Sequence, residues 1–190
     1  MMFSHAAVDL PRAAALSGLR NTFGTYRTRV RGLPEFNGEL PVAALAEEID
    51  TPGDARVRAL VTSAGNPVLS TPNGTRLDRA LSQLDFMVSI DIYVNETTRH
   101  ADLILPPTAV LERGHYDLAH RAFAVRNTAR FTPAVFAPAT DALHDWQIYA
   151  RLAHRLLRRQ GGARGQIRAL RVAGLQWLTP ARLLDLLLRI

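Results

Sequence analysis

The sequence predicts an α/β fold, a parallel sheet of βαβ units with an added antiparallel edge strand and helices toward the C-terminus. Three observations carry this. Apolar runs at residues 58–62, Phe86–Ile90 and 103–105 have the length of buried strands. A helical stretch over residues 73–84 separates the first two, which is the connection that parallel neighbours need. Residues 141–159 then repeat apolar side chains at helical spacing. In such Rossmann-like sheets ligands sit outside the carboxyl ends of the strands. Here those ends carry Gly65-Asn66-Pro67 and the turn from Asp91 to Thr97. A nucleotide-like ligand is expected there from topology alone.

Taken in order, residues 1–18 allow a short helix around 11–16, with Pro11 in its first turn. Residues 19–38 have no period and are expected as an extended surface connector, with contact between an anion and Arg27, Arg29 or Arg31 as the less favoured reading. Residues 40–49 have helical spacing and end at Thr51-Pro52-Gly53. The helix over 73–84 puts Leu77, Ala80, Leu81 and Leu84 on one face, with Asn73 as its cap. Residues 119–128 alternate and read as the antiparallel edge strand, whereas 131–140, with two prolines, reads as a loop. The helix over 141–159 is capped by Asp141 and directs Trp146, Tyr149, Ala153 and Leu156 to one side. Residues 160–165 form a break, and 166–190 hold two amphipathic pieces, the last ending while still apolar. The expected organisation is a connector and helix over 1–55, an α/β ligand-binding domain over 56–160 and a helical tail over 161–190.

With 190 residues, 47% of them hydrophobic, the chain can bury one proper core. It has no cysteine, which excludes disulfides and cysteine-ligated zinc or iron–sulfur sites within it. No apolar run reaches the roughly 18 residues of a membrane span. No secretory signal is expected at the start, and a cytoplasmic location is favoured. The net charge is +6, and every one of the 23 basic residues is arginine. Such a chain could bind nucleic acid, but no arginine cluster is interleaved with stacking aromatics. A codon bias toward arginine is the simpler account, and no nucleic-acid partner is expected.

The candidate ligand residues follow from the sheet edge. Gly65 permits close backbone approach or positive φ, Asn66 offers both donor and acceptor, and Pro67 sets the exit direction. Ser70 precedes a helix, where free N–H groups can meet an anion. Asp91 can accept hydrogen bonds from a purine edge or a ribose diol, or form a turn. Asn95 can cap the short helical turn after it or reach the same ligand. The loop is neither a GxGxxG fingerprint nor a P-loop. Glu112 and His115 lie three apart, but Gly114 between them argues against a helical metal pair, and a hydrogen-bonded loop is expected. No residue presents itself as a catalytic acid, base or nucleophile.

The ordered set AGNPVLSTPNG, LDFMVSIDIYVNETTRHADLILPP, LERGHYD and AVRN resembles the molybdopterin-dependent oxidoreductases, the family of formate dehydrogenases, nitrate reductases and dimethyl sulfoxide reductase. The resemblance covers residues 56–158. It implies an α/β domain that holds one of the two molybdopterin guanine dinucleotides carrying Mo or W. Gly65, Asn66 and Pro67 would then line its phosphate or ribose region, Asp91 would meet guanine, and Asn95 stands where some members have Thr. Thr97 and Asp102 match family positions and are assigned structural roles. The family's metal ligand and its Cys-rich [4Fe–4S] segment have no counterpart here, so the chain is expected to be a piece of such an enzyme and inactive alone. Its partners would be the remainder of the oxidoreductase, in the same chain or in other subunits, and an electron-transfer protein. A stand-alone basic α/β module binding a nucleotide or nucleic acid is the alternative.

Overall fold

The computed structural model describes residues 22–117, 124–125, 128–175 and 179–189. These fall into two compact units, one within Arg20–Pro107 and the other from Thr108 onward.

The first unit opens with a hairpin, β1 (Phe23–Arg27) antiparallel to β2 (Pro34–Phe36). The expected surface connector is therefore paired structure. Its carboxylate Glu35 is fully buried and receives the Thr25 N–H at 3.1 Å. The hairpin loop is tied to α1 (Leu45–Asp50). Arg29 donates to the Thr51 and Pro52 carbonyls, Val30 N–H donates to Glu48, and Arg31 pairs with Glu47. Arg29 and Arg31 thus meet acceptors of their own chain. The helix expected over 40–49 begins as a tighter turn at Val42–Ala44 and becomes α-helical only from Leu45.

The sheet runs β3 (Ala59–Ser63), β4 (Phe86–Ile90), β5 (Leu103–Ile104), all parallel. Between β3 and β4 come the short α2 (Pro67–Ser70) and α3 (Gly74–Leu81). Asn73 caps α3, the structural one of the two readings its position allowed, accepting from Arg76 N–H in a left-handed conformation. Strand period two divides the sheet. Leu60 and Met87 face a core of Ala46, Ile49, Leu77, Ala80 and Leu81. Each large side chain buried there contributes roughly 1.5–3 kcal/mol. The opposite face carries Val61, Phe86 and Leu103, which remain about half exposed at 47%, 49% and 46%. The third strand was expected to be buried, but only one side of it is covered. A bidentate pair, Arg76 Nε and Nη2 to Asp50 at 2.9 Å each, joins α1 to α3.

In the second unit a turn at Val110–Glu112 leads to β6 (His115–Tyr116), antiparallel to β7 (Phe131–Thr132). The edge strand expected over 119–128 falls largely outside the described residues. Phe131–Thr132, expected as loop, is a strand because its backbone is paired before the prolines begin. Helix α4 (Asp145–Arg159) starts at His144 rather than Asp141, and Gln147 Oε1 receives the His144 N–H at 2.9 Å. Its buried side centres on Ile148, while Tyr149 and Leu156 are exposed. The break after it is shorter than expected, because α5 (Gly162–Leu175) starts almost at once. Helices α4 and α5 pack together, with His154 Nδ1 3.0 Å from the Ala169 carbonyl. Helix α6 (Pro180–Leu188) begins with Thr179 as cap. The short helix expected near residue 11 lies outside the described residues.

Candidate functional site

The carboxyl ends of β3 and β4 lie side by side. Ser63 registers with Ile90, and Ala64 N–H continues the ladder to the Ile90 carbonyl at 3.0 Å. The Gly65-Asn66-Pro67 loop and Asp91 therefore leave the same edge of the sheet. Of the two uses open to Gly65, positive φ is not taken; it falls on Ala64, at 46°. This is a left-handed conformation uncommon for a residue with a side chain.

Glycine at 65 is not demanded by the protein's own packing. A Cβ built there would find Ser63 O at 3.5 Å and Pro67 Cδ at 4.0 Å, both ordinary contacts. Gly74 is the opposite case, since its Cβ would lie 1.9 Å from the Val68 carbonyl oxygen. There the close crossing of α2 and α3 requires glycine. Among the described residues, no acceptor meets the N–H of Gly65 or of Asn66.

Pro67 opens α2 in its first position, which places Asn66 where a helix cap belongs. Its main-chain oxygen accepts from Leu69 and Ser70 N–H. Its side chain does not cap the helix. Asn66 Oδ1 accepts from the Thr97 hydroxyl at 2.7 Å, and Asn66 Nδ2 donates to Glu96 Oε2 at 2.6 Å. Thr97 is fully buried, and its hydroxyl also accepts the Val68 N–H at 3.1 Å. Ser70, at the end of α2, is exposed.

Asp91 is nearly buried, and its Oδ1 accepts the Tyr93 N–H at 3.0 Å, so it does form a turn. Among the described residues its second oxygen has no partner. Asn95 braces the start of the turn Thr98–His100, whose cap position is Thr97. Its Oδ1 accepts from Thr97 and Thr98 N–H, both at 2.9 Å, while Thr98 Oγ1 receives the Asn95 N–H at 2.8 Å. Asp102 fastens the start of β5 by accepting the Met87 N–H. The hydrogen bond from Asn66, together with weaker influences, holds the Glu96 carboxyl below its ordinary range, so Glu96 is an acceptor at neutral pH. Asp78 is likewise lowered, first by Arg99 and then by His100, which fixes α3 to the same turn.

Among the described residues the edge thus presents two backbone N–H groups without an acceptor, the NH₂ of Asn95 and one oxygen of Asp91. This set can hold a ligand with both acceptors and donors. Residues 65–67, 91 and 95 are brought to one edge, and Ser70 stands one helical turn away. Glu96 was not among the sequence-derived candidates. Its signal was available only as its place in a polar turn at a strand's carboxyl end.

A cleft of about 690 Å³ lies in the second unit between His115, Trp146 and Leu184. It contains none of these residues and is walled mainly by carbon. Glu112 accepts the Ala109 N–H of its own turn. No described helix is long and apolar enough to cross a membrane.

Residues 12–155 match the molybdopterin oxidoreductase family. The chain is 33% identical over 121 residues to the assimilatory nitrate reductase catalytic subunit of Bacillus subtilis, covering 62% of this chain and 16% of that protein. It is 32% identical over 113 residues to the F420-dependent formate dehydrogenase subunit alpha of Methanocaldococcus jannaschii, covering 59% and 16%. Against the thiosulfate reductase molybdopterin-containing subunit PhsA of Salmonella typhimurium the identity is 32% over 104 residues, covering 53% and 13%. The chain matches about a sixth or less of the length of each of these relatives.

Proposed function

The chain belongs to the molybdopterin oxidoreductase family, and from that premise we propose that residues 56–160 hold one molybdopterin guanine dinucleotide of a Mo or W cofactor. The observation that carries this is the pairing of an open Gly65 and its free neighbouring N–H groups with the half-free carboxylate of Asp91 on one sheet edge. The donor set fits the group. The Gly65 and Asn66 N–H groups would meet diphosphate oxygens, since backbone donors near a strand end favour anions. Asp91 would accept from the guanine edge through the oxygen that Tyr93 leaves free. Asn95 Nδ2 and the Ser70 hydroxyl would supply further donors, and Pro67 fixes the path of the loop. When bound, the cofactor supplies two-electron redox chemistry at the metal. These residues bind and orient it.

The chain holds no cysteine. In this proposal the metal ligand and any [4Fe–4S] cluster come from other parts of the oxidoreductase or from its other subunits, and this chain is inactive alone. An electron-transfer protein completes the assembly. Residues 1–55 and 161–190 serve as flanking parts of the ligand domain.

The test is calorimetric titration of the full chain with guanosine diphosphate, which carries the guanine, ribose and diphosphate of the ligand. Saturable binding in high salt that Asp91→Ala abolishes is the expected result. An equal response to adenosine diphosphate, or retained binding in Asp91→Ala, would overturn the assignment. The alternative, a basic nucleotide- or nucleic-acid-binding module, draws on Arg151, Arg155, Arg158 and Arg159, all exposed along α4. It predicts binding that collapses as salt rises.

A further inference from the structure

We propose that Glu96 and Thr97 fix the polarity of the Asn66 amide, so that its NH₂ points to the ligand edge, and that Glu96 is an internal stand-in which a ligand oxygen displaces. The inference rests on the functional reading above for the ligand's identity, but its first half stands on the ligand-free chain.

The argument is a count of protons. Amide oxygen and nitrogen are distinguished by their partners. Glu96 is ionised and can only accept, so the atom 2.6 Å from it must be a donor. The Thr97 hydroxyl has one proton. Because the hydroxyl already accepts the Val68 N–H, that proton is free to go to the atom 2.7 Å away, which must accept. Reversing the amide would set two acceptors against each other at Glu96 and leave the Thr97 proton without its present acceptor. Both neighbours therefore select the same orientation. Thr97 is wholly buried and locked on two sides, whereas Glu96 is exposed. The inner bond is accordingly the permanent one, and the outer bond is the exchangeable one.

The outer bond has a consequence for binding. The Asn66 NH₂ belongs to the same loop as the Gly65 and Asn66 N–H groups, for which no acceptor is found among the described residues, and in this proposal the three act as one donor array. A phosphate or ribose oxygen arriving there replaces the Glu96 carboxylate as acceptor. Glu96 then becomes a like charge next to the anion. It opposes binding of the anionic part and so acts as a specificity element. Thr97 is a positioning residue acting through Asn66.

The experiment combines side-chain amide NMR with guanosine diphosphate titration of the full chain. In ligand-free wild type the Asn66 NH₂ resonances should be distinct. They should move in Glu96→Gln, collapse toward free-amide positions in Thr97→Val, and return in Thr97→Ser. Glu96→Gln should bind guanosine diphosphate several-fold more tightly. Thr97→Val should bind at least tenfold more weakly, and Thr97→Ser should restore affinity. Unchanged Asn66 NH₂ signals in both Glu96→Gln and Thr97→Val would overturn the amide orientation. If Thr97→Val does not fold, Glu96→Gln alone decides: an unmoved amide overturns the orientation. Weaker guanosine diphosphate binding by Glu96→Gln would overturn the stand-in role. If wild type binds no guanosine diphosphate while the NMR pattern holds, the functional reading and the ligand-displacement half fall, and the orientation stands.

Discussion

Substituting alanine at Gly65 and, separately, at Gly74 distinguishes a glycine kept for a ligand from one kept for packing. At Gly65 an added Cβ meets its nearest neighbours at 3.5 and 4.0 Å, and φ is not positive there. Folding should be unharmed, or favoured by about 0.4–1 kcal/mol through the stiffer unfolded chain. A ligand resting on the Gly65 backbone loses its place, however. The methyl carbon stands about 1.5 Å further out than Cα. A diphosphate oxygen in hydrogen-bond contact must retreat by a similar distance, past the ~3.2 Å limit of a good N–H···O bond. Losing one charge-assisted bond is worth roughly 1.5–3 kcal/mol, or about 10- to 150-fold in Kd. At Gly74 the new carbon would sit 1.9 Å from a backbone oxygen that cannot swing aside. Relieving that overlap should cost about 1–3 kcal/mol. The assay is urea unfolding of wild type and both variants, with guanosine diphosphate titration of each. Gly65→Ala should keep its midpoint and lose affinity, and Gly74→Ala should lose its midpoint. A Gly65→Ala that unfolds more easily by over about 1 kcal/mol, or that binds as wild type does, would refute the reasoning.

Other outcomes follow from the same contacts. Asp50, Asp78 and Glu96 all have folded pKa values lowered, chiefly by hydrogen bonds from Arg76, Arg99 and Asn66 respectively. The unfolded chain therefore binds more protons in acid, so their contribution is complete above the ordinary carboxylate range and is lost as pH falls through the folded values. Urea midpoints should be flat near neutrality and fall below about pH 4. Asp50→Asn should lower the neutral midpoint and flatten part of that fall, and an unchanged profile would count against the Asp50–Arg76 tie. Leu77→Ala, in the fully buried layer between α3 and the sheet, should cost about 2–5 kcal/mol in the same assay. The half-exposed sheet face at Val61, Phe86 and Leu103 should make the isolated chain self-associate. Val61→Glu should shift light scattering toward monomer, and a wild type that is already monomeric at high concentration would contradict this.

Much of the candidate edge was legible because it depends on order along the chain. Apolar runs separated by a helix imply parallel strands, and parallel strands put their carboxyl ends, and hence residues 65–67 and 91–97, on one side. The hairpin over Phe23–Phe36 was not legible. Its register is held by Thr28, by the buried Glu35 and by arginines reaching acidic residues of α1, partners that a local pattern does not reveal. The start of α4 moved from Asp141 to His144 for a similar reason, since Gln147 supplies the accepting group from within the helix and Asp145 pairs with Arg113.

The sequence by itself determined the parallel α/β class, the loop that carries Gly65-Asn66-Pro67 and the strand that ends in Asp91, because chain order and periodicity suffice for those. Only the tertiary structure decided which way each polar side chain faces. It put the positive φ at Ala64 rather than Gly65, gave one oxygen of Asp91 to Tyr93, spent the Asn95 Oδ1 on the Thr97 and Thr98 N–H groups, and set the Asn66 amide on Thr97 and Glu96. The reason is the proton count of a hydrogen bond. A residue's donors and acceptors are known from its type, but which remain for a ligand depends on what the folded neighbours have already taken.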